Sequence, residues 1–246
     1  NAARAITLLS GLPYKTSSLN VERVCISSMS AVQIAAMSIA YGLGDVYLAG
    51  GLESMTRFRI AKFSADRKPT PEEYEQMTGK SPNPRLSEII STEALGMGVT
   101  AEKLAEMYGI SREEQDRWAV RSHQLADRAY KEGKFKDEVI PVEVTFQNQK
   151  MIVDRDQEIR PDSNLETISK LKTPFKTNGT INAANASKES DGASMMLIMS
   201  EEKARELGLK PIARIVDMAF TGVDPTIMGY GATEAARKLL QKTNLN

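Results

Sequence analysis

Cysteine, histidine and tryptophan each occur once in 246 residues. A single cysteine excludes an internal disulfide and a cysteine-rich zinc site, and it suits a reducing, intracellular compartment. A single histidine makes a histidine-based metal centre or a Ser-His-Asp triad hard to assemble, so no metal ligands are expected. An excess of either charge is missing too, because 32 Lys+Arg meet 32 Asp+Glu. No long-range pull toward nucleic acid or an anionic membrane follows, and any anion site must be a local cluster. The longest apolar stretches fall short of the roughly 18 residues that a membrane span takes. The first residues do not read as a basic-then-apolar secretory leader. What is present, 41% hydrophobic and 26% charged residues, fits an ordinary globular protein of the α/β class, with enough chain to bury a core.

Asn1 to Pro13 begins inside an amphipathic helical pattern, with Ile6, Leu8 and Leu9 as its apolar face and Gly11 and Pro13 as its stop. Lys238 to Asn246 ends just past another helix. Both ends read as cuts in a longer chain. Between them, Asn20–Val24 alternates like a strand, and Cys25 follows it. Ser27 to Tyr41 is nearly uncharged and rich in Ala, Ser and Met, as suits a helix packed on every side and closed by Gly42. Asp45–Ala49 reads as a strand ending at Gly50-Gly51. Together these predict a βαβ unit in a parallel, buried sheet.

From Met55 to Glu93 the prolines Pro69, Pro71, Pro82 and Pro84 suggest an inserted surface segment. Helices are predicted over Thr100–Tyr108 and Arg112–Lys131, the second behind a capping box of Ser111 and Glu114 and stopped by Gly133. A hairpin is predicted around Gln147-Asn148. A buried strand follows at Met195–Met199, then a helix at Glu201–Glu206 between Ser200 and Gly208, then a strand at Ala213–Phe220. Ala183 to Ala193 stays ambiguous.

Cys25 admits two readings. Most lone cysteines are small core residues. A cysteine where a strand meets a helix, however, faces unpaired N–H groups and the positive end of the helix dipole, which favour a thiolate and a developing oxyanion. His123 could in principle serve as its base, but it reads first as a mid-helix packing residue. Lys170, Lys172 and Lys176 with Arg160 form a basic cluster that is either a solvated face or a phosphate site.

Several motifs decide between these readings. Val21-Glu22-Arg23-Val24-Cys25-Ile26-Ser27-Ser28-Met29-Ser30-Ala31 resembles the nucleophile motif of the thiolase family. Gly44-Asp45-Val46-Tyr47-Leu48-Ala49-Gly50-Gly51-Leu52-Glu53-Ser54-Met55 resembles its GDVxxAGGxESM signature. Met97–Glu102, Ile110–Asp116, Arg121-Ser122-His123, Ile159–Asp162, Asn185-Ala186-Ser187 with Asp191-Gly192-Ala193, and Gly222–Pro225 with Met228-Gly229 follow in the family's order.

The resemblance implies the first half of a duplicated α/β core with an inserted α+β loop domain that covers coenzyme A. On this chain it implies core residues 1–55 and 179–224, an insertion over 56–178, and the start of a second half at 225–246. It implies an acyltransferase that cleaves 3-ketoacyl-CoA by thiolysis, or condenses acyl-CoA, through an acyl-cysteine on Cys25 in two half-reactions. Coenzyme A or acyl-CoA is then a substrate rather than a tightly bound cofactor. Arg160 and Thr167 fall near its adenine end, Ala183 and Ser187 along pantetheine, and Met97 beside the reacting acyl group. Gly96 stands where some relatives carry a histidine, and Thr167 where many carry serine. The family's second-half histidine and second cysteine are not in this sequence, so the chain alone is expected to be inactive. A non-catalytic relative that binds acyl-CoA or a partner subunit is the alternative. A ketosynthase-like condensing enzyme fits less well, given Gly50-Gly51-Leu52-Glu53-Ser54-Met55. Homodimers or homotetramers in the cytoplasm or mitochondrial matrix are implied partners and places.

Overall fold

A computed structural model describes residues 1–55, 84–91 and 93–245. The prolines Pro69, Pro71 and Pro82 of the expected insertion lie outside these residues, whereas Pro84 opens helix Pro84–Ile89. The chain divides into two compact units. One comprises the described residues of Asn1–Pro69, Glu189–Phe220 and Lys238–Asn246, the other those of Thr70–Lys188 and Thr221–Arg237.

In the first unit, α1 (Ala2–Leu9) is capped by Asn1, whose side chain accepts from the Arg4 N–H. Its buried position is Thr7, not the expected Leu8 and Leu9, which are exposed. The Thr7 hydroxyl bonds the Ala3 carbonyl and Ser18 Oγ, so a satisfied polar group turns inward in place of leucine.

No strand forms over Asn20–Val24. Instead Val24–Ile26 is a single 3-10 turn running directly into α2 (Ser27–Ala40). β1 (Val46–Glu53) extends through Gly50 and Gly51 rather than ending there. The reason lies in the packing: a Cβ on Gly51 would strike Ser28 Oγ of α2, and one on Gly50 would strike the Ser194 carbonyl of the neighbouring strand. The glycines let a helix and a strand approach β1 closely.

The partner of β1 is β2 (Gly192–Met199), and the two are antiparallel, Val46 facing Met199 and Glu53 facing Gly192. The expected parallel βαβ sheet is therefore not found among the described residues. Met195, Met196 and Leu197 do form a strand, but they are exposed rather than buried. Helix α2 packs on this sheet through Ser30 and Ala35 and leaves Met29 and Met37 exposed, so it is not enclosed on every side. Ser200 caps α3 (Glu201–Glu206) as predicted, accepting from the Lys203 N–H, and Gly208 ends it at φ 65°. Ala213–Phe220 forms no strand and has no ladder partner among the described residues.

In the second unit, α4 (Met97–Tyr108) closes on Gly109 at φ 64°, and α5 (Arg112–Lys131) begins with the complete Ser111–Glu114 capping box. β3 (Val142–Phe146) and β4 (Gln149–Val153) form the predicted hairpin. Gln147 and Asn148 both adopt positive φ, 48° and 63°, which gives a two-residue turn the twist its strands need. The short helix α6 (Leu165–Ile168) packs on α5, with Ile168 buried. The last helix, α7 (Tyr230–Thr243), follows a 3-10 turn at Pro225–Ile227, and its residues from Lys238 onward belong to the first unit.

Candidate active site and ligand cleft

The cysteine is exposed. It sits in the middle of the 3-10 turn, which the chain enters through Val24 at φ 50°. A β-branched residue in the left-handed region costs on the order of 1–3 kcal/mol and persists where its surroundings hold it. Here they do. Glu22 Oε1 accepts from the Val24 N–H at 2.7 Å, Ser27 Oγ accepts from the Arg23 N–H at 2.7 Å, and the Ser27 hydroxyl donates to the Val24 carbonyl at 2.8 Å. Arg23 also lies over the Phe220 ring, 5.1 Å from its centre. At the head of α2, Ile26 occupies the cap position and offers the first turn no side-chain acceptor. The first N–H of α2, that of Ser27, is already given to the Val24 carbonyl of the 3-10 turn, so what favours an anion beside the thiol is the positive end of the α2 dipole.

The second unit holds a cleft of about 880 Å³, the size of a small-molecule site. Its walls are Ile110 to His123 of α5 and the loop before it, Glu158 to Ser163, α6 with Leu171, and Ala183 to Lys188. Four of the five residues that the sequence suggests for coenzyme A, namely Arg160, Thr167, Ala183 and Ser187, line it. Met97 does not; it is exposed at the first turn of α4.

Arg160 is held from several sides. Its N–H donates to His123 Nδ1 at 3.2 Å, and its guanidinium donates to the Gln157 carbonyl at 2.9 Å. That gives His123 a structural partner, in line with its reading as a packing residue. Three members of the basic cluster each face a carboxylate. Lys170 pairs with Glu166, Lys176 with Glu106, and Arg160 faces Glu158. Thr167 is fixed by Asn164, whose side chain accepts from its N–H at 3.0 Å while the Asn164 carbonyl accepts from its hydroxyl at 3.1 Å.

Residues the sequence reading gave no role hold the wall that carries Ala183 and Ser187. Glu102, buried on α4, accepts from the N–H groups of Thr180 and Ile181, each at 2.8 Å, and from the Thr180 hydroxyl. Asp116, 1% exposed on α5, accepts from Asn182 Nδ2 at 2.8 Å, Asn185 Nδ2 at 3.2 Å and Arg112 Nε at 2.7 Å. Asn182 is wholly buried, and its carbonyl oxygen accepts from the N–H groups of Ala184 and Asn185. Two buried carboxylates thus shape a loop that would otherwise have few backbone partners. The signal available in the sequence was two acidic residues on helix faces beside an Asn-rich loop.

The described residues thus form a mixed α/β protein that carries an exposed thiol at the head of a helix in one unit and a ligand-sized cleft in the other. The model described as "Thiolase, N-terminal domain" matches residues 1–202, and the chain belongs to the thiolase family. It is 43% identical to a 3-ketoacyl-CoA thiolase of Marinomonas sp. (strain MWYL1), and 41% identical to one of Marinobacter nauticus (strain ATCC 700491 / DSM 11845 / VT8). In each case the match spans all of this chain and 59% of the relative. Among solved structures, the Bacillus anthracis acetyl-CoA acetyltransferase superposes with TM-score 0.80 at 36% identity, covering all of this chain and 61% of that one. Human mitochondrial 3-ketoacyl-CoA thiolase superposes with TM-score 0.83 at 33% identity, covering 99% of this chain and 61% of that one. The chain therefore spans about three fifths of the length of the relatives it matches. The thiolase-like α/β fold follows from these matches.

Proposed function

We propose that this chain is the nucleophile- and coenzyme A-binding portion of a 3-ketoacyl-CoA thiolase. The observation that carries the reading is the gathering of Arg160, Thr167, Ala183 and Ser187 in one cleft. The exposed Cys25 at the uncapped head of α2 supports it.

In the proposed reaction, the Cys25 thiolate attacks the 3-keto carbonyl carbon, and the positive end of the α2 dipole favours the oxyanion that forms. When the carbonyl reforms, the bond between C2 and C3 breaks. Its electron pair leaves with C2, which takes a proton and departs as acetyl-CoA. The acyl group stays on Sγ as a thioester until the thiol of a coenzyme A attacks it, which gives the chain-shortened acyl-CoA and frees Cys25 again. Condensation is the reverse. Arg160 and Thr167 hold the adenine end of coenzyme A in this reading, Ala183 and Ser187 flank pantetheine, and Met97 lies toward the acyl group. In this reading residues 1–55 and 179–224 form the core and residues 56–178 are inserted; the pairing of β1 with β2 supports the core around residues 46–53 and 192–199, while residues 179–188 group with the second unit. The reading extends to a homodimer or homotetramer in the cytoplasm or mitochondrial matrix.

The test is acyl transfer to the intact protein. Incubation with 3-ketoacyl-CoA and peptide mapping by mass spectrometry are expected to place the acyl group on Cys25, and Cys25→Ser is expected to abolish both the adduct and turnover. Turnover that survives in Cys25→Ser would overturn the mechanism.

A further inference from the structure

The cleft does not have the charge of a general anion sink. Its lining includes Glu114, Glu158 and Asp162 against Arg160 and Lys188. Glu114 is occupied by the capping box, its carboxylate accepting from the Ser111 N–H and hydroxyl. Glu158 has a different setting. Arg160 Nη2 and Lys188 Nζ both approach the same oxygen, Glu158 Oε2, each at 3.9 Å. That is close enough for attraction but too long for a hydrogen bond. Neither cation spends an N–H on this carboxylate. The three groups are about half exposed, so the pairs are weak and easily exchanged.

We infer that Lys188 is a second cationic contact for the phosphates of the ligand, and that Glu158 is a counter-ion which a phosphate displaces. The inference rests on the reading that coenzyme A occupies this cleft. A phosphate oxygen between Arg160 and Lys188 carries more charge than the carboxylate and meets donors that are already oriented on one point. Arg160 is fixed by His123 and Gln157, and Lys188 directly follows Ser187 on the loop that Asp116 and Asn182 anchor. With Glu158 in place, binding must overcome the attraction of both cations to it. Glu158 therefore tunes affinity downward, and Lys188 tunes it upward.

The experiment is calorimetric titration of the intact protein, Lys188→Gln and Glu158→Gln with coenzyme A and with 3′-dephospho-coenzyme A at low and moderate salt. For exposed charge pairs of this kind, weakening of about 2- to 5-fold is expected for Lys188→Gln and tightening of about 2- to 5-fold for Glu158→Gln, both shrinking as salt rises. If the Lys188→Gln effect disappears with 3′-dephospho-coenzyme A, the contact is the 3′-phosphate; if it persists, the contact is the diphosphate. Wild-type binding with neither variant changed would overturn the role of Lys188 and Glu158 and leave the cleft assignment standing. No binding of coenzyme A by the wild-type protein would overturn the cleft assignment itself, and this inference with it.

Discussion

At the scale of single residues, the cleft depends on a side chain placed to face protein rather than ligand. Asp116 gathers Asn182, Asn185 and Arg112 on its two oxygens while almost fully buried. Truncating it strands a wholly buried amide and a guanidinium that also donates to the Ile168 and Leu171 carbonyls. Breaking a buried ionic network by removing one partner costs about 3–5 kcal/mol, so Asp116→Ala is expected to lower stability by that amount in urea denaturation. Asp116→Asn keeps an acceptor for both asparagines and loses the pairing with Arg112, so its loss is expected to be smaller. A loss below about 1 kcal/mol for Asp116→Ala, the range of an ordinary exposed pair, would rule out the network as the support of this loop.

At the scale of elements, α5 carries depressed carboxyls at both ends. The Ser111 hydroxyl, then its backbone N–H, hold Glu114 below its ordinary value of 4.5. Lys131 and Arg155, each bonded at 2.7 Å, hold Asp127 below 3.8. A folded-state value below the unfolded one gives stability that is present above the unfolded value and lost as pH falls through the folded one. Thermal melts of wild type and the Glu114→Gln, Asp127→Asn double variant are therefore expected to differ at pH 6 and converge toward pH 3. A gap that stays constant over that range would show that these carboxyls contribute through packing alone.

The same helix shows what sequence can reveal about elements. Its capping box, the positive-φ turn at Gln147-Asn148 and the Ser200 cap are local signals, settled within four residues, and each was legible. Asn20–Val24 and Ala213–Phe220 read locally as strands, but a strand needs a ladder partner, and none pairs with them among the described residues. The direction of β2 beside β1 is set by contacts between segments more than a hundred residues apart, so no local pattern encodes it. Site residues followed the same rule. Motif resemblance pointed to Arg160, Thr167, Ala183 and Ser187, whereas the burial of Glu102, Asp116 and Asn182 arises only in three dimensions.

At the scale of the whole molecule, thiol and cleft belong to different compact units. Ligand binding and cysteine chemistry should then be separable by mutation. A ligand that binds the folded state alone stabilises it by RT ln(1 + [L]/Kd), about 2.7 kcal/mol when free ligand is 100 times Kd. None of that stabilisation requires Sγ if coenzyme A is held by Arg160, Thr167 and the Ala183–Ser187 wall. The intact Cys25→Ser protein is therefore expected to show the same coenzyme A-dependent rise in melting temperature as is expected of the wild type. Arg160→Ala is expected to lose much of that rise while iodoacetamide still alkylates Cys25, because the 3-10 turn and α2 that present the thiol draw no support from Arg160. Loss of the coenzyme A effect in Cys25→Ser would instead place the main binding contacts at the head of α2, and the cleft would no longer be the ligand's anchor.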